Sequence, residues 1–326
     1  MFEDEVQSPF LPGTDIQYAW DSTSLGYFKS CPRLYQYVMI DGWVSREESI
    51  HLRFGQEYHN ALQYYEEMIA EGVKHNDAVH EVVKGILQWT HGWEPDPTTK
   101  AGKYKNRDSL IRTVVWYLDQ YQDDAAKTYI MEDGSPAVEL SFRFELEWGP
   151  TGPDVREIND PPRPTQPYLL CGHLDKVVEF SGALFDMDHK TTTTTPGSYY
   201  FDQYAPHNQM SLYSIAAQVV LDSPIKGVII NVAQLMVDTS RFVRGFTYRT
   251  QDQLDEWLAD LRVILREAEA HATEGYWPMR DTSCSMFGGC RFRDVCSKSP
   301  QVREKFLRSD FIKQPEEEKW NPLRPR

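Results

Sequence analysis

The sequence has no run approaching the roughly 18 consecutive apolar residues that a membrane-spanning helix requires, so no span is expected. It has no Gly-x-x-x-x-Gly-Lys-Ser/Thr loop, which excludes a P-loop phosphate cradle and a nucleotide-driven motor built on one. Its opening residues, MFEDEVQSPF, are acidic and lack the basic-then-apolar order of a secretory leader, so a cytoplasmic location is expected. Cysteine is scarce. Five in 326 residues, an odd number in a large chain with no leader, argue against a disulfide framework and for thiols or a metal site. There is no internal repeat, and no low-complexity tract longer than the five threonines Thr191–Thr195. Cations are the scarcer charge, 34 Lys and Arg against 49 Asp and Glu, and the net charge of −15 disfavours a general nucleic-acid coat. A local basic groove stays open. Carboxylates that bind a metal also add negative charge without repelling a phosphate once the metal is bound.

Hydrophobic residues make up 40% of the chain, enough for a sizeable core in one large domain or two small ones. Residues 1–20 read as an arm. Helices are expected over Ser22–Phe28, capped by Asp21 or Ser22, and over Phe54–Glu71, where His59, Leu62 and Glu66 share a face. Residues 76–90 and 107–131 also read as helices. Between them Lys100, Lys103, Lys105, Arg107 and Arg112 stand against one acid, Asp108: either a solvated loop or an arm that tracks phosphates. Ala137–Trp148 alternates as a strand does, and Pro150–Pro167 is a proline-rich excursion. Tyr204–Leu221 carries no charge and reads as a buried helix. Gly227–Met236 and Phe242–Tyr248 read as strands, and Gln251–Ala272 as a helix with Leu254, Trp257, Leu258, Leu261 and Ile264 inward. The charged tail after Ser299 is expected to be loosely ordered. This order implies a mixed α/β sheet flanked by helices, with a helical insertion over 54–131 before a core over 137–250.

The chain is organised around Tyr168–Thr191, YLLCGHLDKVVEFSGALFDMDHKT, read as two strands joined at Ser181-Gly182. A two-residue loop puts Asp175 opposite Asp188 and His173 opposite Lys190. Strand alternation then places Asp175, Asp188 and Lys190 on one face. Facing carboxylates repel unless a cation lies between them, and their oxygens suit Mg²⁺ or Mn²⁺. Lys190 would stand where an attacking water could be oriented. The same residues also fit an exposed hairpin with an ordinary salt-bridged face.

Other residues could join this chemistry. His59 is a lone helical histidine, a residue more often structural than ligating. Gln209 and Tyr213 lie one turn apart on the charge-free helix, where a buried polar pair would also satisfy itself. Cys284, Cys290 and Cys296 are evenly spaced in SCSMFGGCRFRDVC, with Cys31 the plausible fourth ligand of a zinc ion or an iron–sulfur cluster that would clasp the two ends of the domain. Cys171 reads as core or as facing the site.

In this order the motifs resemble the RecB-like branch of the PD-(D/E)XK nucleases, from about Ser22 to Cys296. The resemblance rests on SLGYFKSCPRLYQY, on Gly55-Gln-Glu-Tyr-His59, on Gly172-His-Leu-Asp175, on Asp188-His189-Lys190, on Gln209-Met-Ser-Leu-Tyr213, and on the cysteines. It implies a restriction-endonuclease-like fold in a single domain over 21–298. His59, Asp175, Asp188 and the His189 carbonyl would hold the metal. Lys190 would position or deprotonate water, and Gln209 and Tyr213 would contact DNA or support the site. A [4Fe-4S] cluster would sit on Cys31, Cys284, Cys290 and Cys296, although both gaps here are five residues where relatives have a close pair, so zinc stays open. Arg33, Lys103, Lys105 and Arg107 are the expected DNA contacts. The implied activity is a metal-dependent DNA exonuclease, more so than an endonuclease, acting on single-stranded or end-bearing DNA in recombination, repair or CRISPR processing. A helicase, recombinase or CRISPR partner and a homo-oligomer are compatible with it. The competing expectations are a non-catalytic DNA-binding scaffold on the same fold and a redox-sensing iron–sulfur protein.

Overall fold

Ser181 and Gly182 both take positive φ, 52° and 76°, as the two central residues of a type I′ hairpin turn do. This turn sets the register of the two strands it joins in the computed structural model, which describes residues 7–150, 166–285 and 289–324. The expected excursion Pro150–Pro167 lies mostly outside the described residues. Phe180 pairs with Ala183, and the ladder runs back to Lys176 against Met187. It stops there, one pair short of the expected opposition of Asp175 and Asp188.

The chain divides into two compact units, each assembled from separated segments. Numbered along the chain, unit 1 contains β1 (Ala19–Trp20), α1 (Ser22–Ser30), α2 (Pro32–Tyr35), β2 (Trp43–Ser45), α9 (Gln251–Glu274), α10 (Arg293–Cys296), α11 (Arg303–Asp310) and β9 (Phe311–Lys313). Unit 2 contains α3 (Ile50–Ala70), α4 (His75–Trp89), α5 (Lys100–Tyr104), α6 (Arg107–Gln120), β3 (Lys127–Thr128), β6 (Ala183–Thr192), α7 (Ser198–Asp202), α8 (Asn208–Leu221), β7 (Ile225–Leu235) and β8 (Ser240–Thr247). The unit boundaries fall within β4 (Val138–Glu145) and β5 (Leu169–Phe180).

Unit 2 is built on the sheet order β5–β6–β7–β8. β6 and β7 are parallel, the outer pairs antiparallel, and β3 pairs antiparallel with β5. β7 is covered on both faces, so its sequence is a nearly unbroken apolar run rather than an alternating one. Val228, Ile230 and Val232 pack with Met210 of α8. Ala233 and Leu235 pack with the core of α3, α4 and α6 that includes Phe54, Tyr58, Ile86 and Leu110. Each such side chain removed from water contributes about 1.5–3 kcal/mol. The charge-free sequence of α8 follows from this cover.

Several expected boundaries move. α3 starts at Ile50 because Ser49 caps it, accepting the Leu52 N–H at 3.4 Å. α6 ends at Gln120, not at 131. Just beyond it Asp124 accepts the Ala126 N–H and pairs with Arg244, and the chain then joins β5 as β3. α8 starts only after Pro206, which cannot donate within a helix. On α9 the buried apolar positions are Leu254, Leu261, Leu265 and Ala268, while Trp257, Leu258 and Ile264 are half-buried.

In unit 1, Asp21 caps α1 as expected, accepting the Ser24 N–H at 2.8 Å. β1 runs parallel to Leu169–Leu170. The tail corrects the sequence reading. It is structured: β9 pairs antiparallel with β2, Phe311 stacks on Phe292 at 4.4 Å, and the Trp320 indole donates to Asp21 at 2.9 Å. Its aromatic residues, sparse among many charges, hold it down.

Candidate active site

Asp186, Asp188 and Lys190 alternate along β6 and project towards α8, because their register partners on β7 are Val228, Ile230 and Val232. The Lys190 ammonium lies 2.7 Å from Asp188 Oδ2 and donates to Gln209 Oε1 at 3.3 Å. One turn further along α8, the buried Tyr213 hydroxyl is hydrogen-bonded to Gln209. Asp188, Lys190, Gln209 and Tyr213 therefore form one connected row. Burial alone would lower the Lys190 pKa, but Asp188 and Asp175 outweigh it and hold the side chain as an ammonium. Burial and the nearby Asp175 leave Asp188 above the ordinary carboxylate value despite the pull of Lys190.

Asp175 sits where the β5–β6 ladder ends. Its Oδ2 accepts the His189 backbone N–H at 2.8 Å, and its Oδ1 lies 3.3 Å from His59 Nδ1. This contact stands in place of the expected direct pairing of Asp175 with Asp188 and of His173 with Lys190. Burial would raise the Asp175 carboxyl, yet His59 and Lys190 hold it well below the usual range. His59, on α3, places Nε2 3.0 Å from the His189 carbonyl oxygen and Nδ1 3.9 Å from Glu139. Both ring nitrogens thus face oxygen acceptors. Burial works against the imidazolium, but Asp175 and Glu139 raise its pKa above the ordinary value.

His59, Glu139 and Asp175 have donor atoms within 4.8 Å of one another, the one such group of three among the described residues. That spacing and the nitrogen and oxygen donor set fit a hard divalent ion such as Mg²⁺ or Mn²⁺. Asp188 stands outside the group, held by Lys190.

Glu139 and Asp186 were not read from the sequence. Glu139 has φ of 47°, a left-handed backbone uncommon for a residue with a side chain, and no local sequence pattern announces it. Asp186 was accessible to reasoning, since it shares the two-residue alternation with Asp188 and Lys190. It is fully buried. Beyond a backbone contact to Met187, neither of its oxygens has a hydrogen-bond partner among the described residues. Burial, then Asp188 and Asp175, push its carboxyl well above the normal value.

The back of the site is also built. The Asn231 amide donates to the Tyr117 hydroxyl at 2.6 Å and lies 3.0 Å from His189 Nδ1, while Arg244 donates to its oxygen at 3.2 Å. Arg244 also forms two bonds with Asp124, at 2.8 and 2.5 Å, and lies over the Tyr121 ring. Glu66, on the His59 face of α3, takes the Lys176 ammonium at 2.5 Å and the Thr128 hydroxyl at 2.6 Å.

The four expected DNA contacts differ in their surroundings. Arg107 donates to the Thr90 carbonyl and hydroxyl at 2.5 and 3.1 Å, and Arg33 donates to the Trp277 carbonyl at 2.7 Å. Lys103 is exposed and Lys105 is buried.

In unit 1, Cys31, Cys284, Cys290 and Cys296 line a single cavity of about 340 Å³. The Arg280 backbone N–H donates to the Cys31 sulfur at 3.3 Å, and the Cys290 N–H closes a turn onto the Cys284 carbonyl at 3.0 Å. No three of these sulfurs lie within 4.8 Å of one another. Cys171 is buried elsewhere in unit 1, and burial pushes its thiol up to about 12.

The sequence matches the model of the PD-(D/E)XK nuclease superfamily over residues 21–297, and the chain belongs to that superfamily. Its mixed sheet flanked by helices is consistent with a restriction-endonuclease-like fold, and no described helix is long and apolar enough to cross a membrane. No curated protein matches the sequence. Among solved structures the chain is similar to a provisionally assigned exonuclease from Eubacterium rectale, with 12% identity over 86% of this chain and 89% of that one and a TM-score of 0.47. It is also similar to the protein SSO0001, with 11% identity over 76% of each chain and a TM-score of 0.27.

Proposed function

We propose that the chain is a metal-dependent deoxyribonuclease of the RecB-like branch, acting as an exonuclease on single-stranded or end-bearing DNA. The observation that carries this reading is the Lys190 ammonium, bonded to Asp188 and Gln209 beside the His59, Glu139 and Asp175 donors. His59, Asp175, Asp188 and the His189 carbonyl are assigned to the ion, with Glu139 beside them. The ion supplies phosphate polarisation and a lowered pKa for bound water. Lys190 stays charged, so its role is to stabilise the negative charge that grows on the phosphate and to orient the attacking water. Gln209 fixes the position of that ammonium, and Tyr213 fixes Gln209.

The cysteines are assigned to a [4Fe-4S] cluster. Four thiolates suit either such a cluster or a zinc ion, and these four line one cavity. Iron analysis of protein purified without oxygen tests this: a colourless protein containing zinc would overturn it.

The nuclease reading is tested by digesting end-labelled DNA with Mn²⁺, with and without EDTA. Asp188→Ala and Lys190→Ala are expected to abolish cleavage with the circular dichroism spectrum unchanged. Full activity in either variant removes the reading, and the label's fate gives the polarity.

A further inference from the structure

Lys105 is 4% exposed, and among the described residues its ammonium has no acidic partner. It donates a hydrogen bond to the Thr191 hydroxyl at 3.3 Å, and the Phe54 ring lies 5.4 Å away. A buried cation is ordinarily paired, because leaving water costs more than most packing returns. An unpaired one next to a functional residue points to an anion that arrives later. Thr191 is half-buried and follows Lys190 on β6, and strand alternation turns its hydroxyl to the opposite face, towards the α3 side where its partner Ala233 packs.

We propose that Lys105 and the Thr191 hydroxyl form a dedicated phosphate site for the DNA backbone on the α3 side of β6. The inference rests on the nuclease reading and adds to it a second phosphate contact on the α3 side of the strand that carries Lys190. Lys105 also separates from the other basic residues near it. Arg107 is engaged by Thr90, and Lys103 is exposed. Burial lowers the Lys105 pKa to about 8. The ionisable neighbour that senses it is His51 of α3, whose own pKa falls through burial and then through Lys105. Among the described residues no carboxylate of α3, α5, α6 or β6 pairs with it. A phosphate would supply the missing counter-charge and keep the proton on.

The test measures binding of a fluorescein-labelled oligothymidylate by anisotropy in EDTA, cleavage in Mn²⁺, and thermal stability, for wild type, Lys105→Met and Thr191→Val. Lys105→Met is expected to bind about tenfold more weakly, with a salt slope about 0.7 shallower, as for one lost single-strand phosphate contact. The same variant is expected to be more stable than wild type at pH 7. That advantage should shrink between pH 8 and 10, where the folded wild type has lost a proton that the unfolded chain still holds. Weaker binding together with greater stability marks a ligand site, since a lysine serving only the fold would lose both. Thr191→Val should weaken binding in the same direction by less. If wild type cuts DNA and both variants bind with unchanged affinity and slope, the subsite is wrong and the nuclease reading stands. If wild type neither binds nor cuts DNA, the nuclease reading falls, and the subsite with it.

Discussion

Asp186 and His59 both lie in the same few ångströms of protein, and they carry opposite costs. Asp186 is buried without a side-chain partner, and its raised pKa means that the folded state keeps a proton which the unfolded chain releases. Stability therefore falls as pH rises from the ordinary carboxylate value towards the folded one. Asp186→Asn should stabilise the metal-free protein by about 1–3 kcal/mol near pH 8, with a smaller gain near pH 4, as read by urea denaturation in EDTA at both values. An unchanged or lower stability would show that the carboxylate is paired after all. His59 works the other way. Its imidazolium joins the Asp175 carboxylate to the His189 carbonyl, the groups assigned to the metal, and a ligating imidazole must first lose a proton. The Mn²⁺ concentration giving half-maximal binding, followed by manganese electron spin resonance, should fall about tenfold for each unit by which pH rises towards the His59 pKa. It should level off above that pKa.

At the scale of elements, one packing contact in unit 1 and one charge pair in unit 2 hold their surroundings in place. Adding a methyl at Gly172 would bring it within 2.6 Å of the Phe142 ring. Gly172→Ala should cost about 1–3 kcal/mol through overpacking, and Phe142→Leu in the same chain should return part of the loss. Arg244 holds Asn231 against the His189 ring while paired with Asp124. Arg244→Ala leaves that acid stranded and should cost about 3–5 kcal/mol. If the pair also positions the His189 carbonyl, Mn²⁺ affinity should weaken, while binding of the oligonucleotide in EDTA should not change.

These elements also show what could be read from sequence. The hairpin register was legible because a two-residue turn and strand alternation leave one arrangement. Lys190 beside Asp188, and Gln209 one turn from Tyr213, followed from the same periodicities. The contact between Asp175 and His189 was not legible, since it depends on where the ladder stops. Nor was Glu139, whose position depends on one backbone angle, or the Asn231–Arg244–Asp124 chain, whose Arg244–Asp124 link spans 120 positions through tertiary packing. The tail misled because its charge count outweighed its few aromatic anchors.

At the scale of the molecule, the tail belongs to unit 1. A chain ending at Ser299 loses β9, and with it the partner of β2 and the Phe292 stack next to Cys290. Truncation there should lower the melting temperature by several degrees relative to the full-length protein. A melting curve that does not move would mean that the tail only decorates the surface.

The interleaving of the two units also sets an order during synthesis. Every residue assigned to hydrolysis belongs to unit 2, whose final segment ends at Gln251, whereas unit 1 closes only with Asp252–Arg326. On the ribosome, the residues assigned to hydrolysis are therefore all translated before the last three cysteines. A nascent chain stalled between Gln251 and Cys284 would hold all its proposed catalytic groups but only one of the four sulfurs of the clasp.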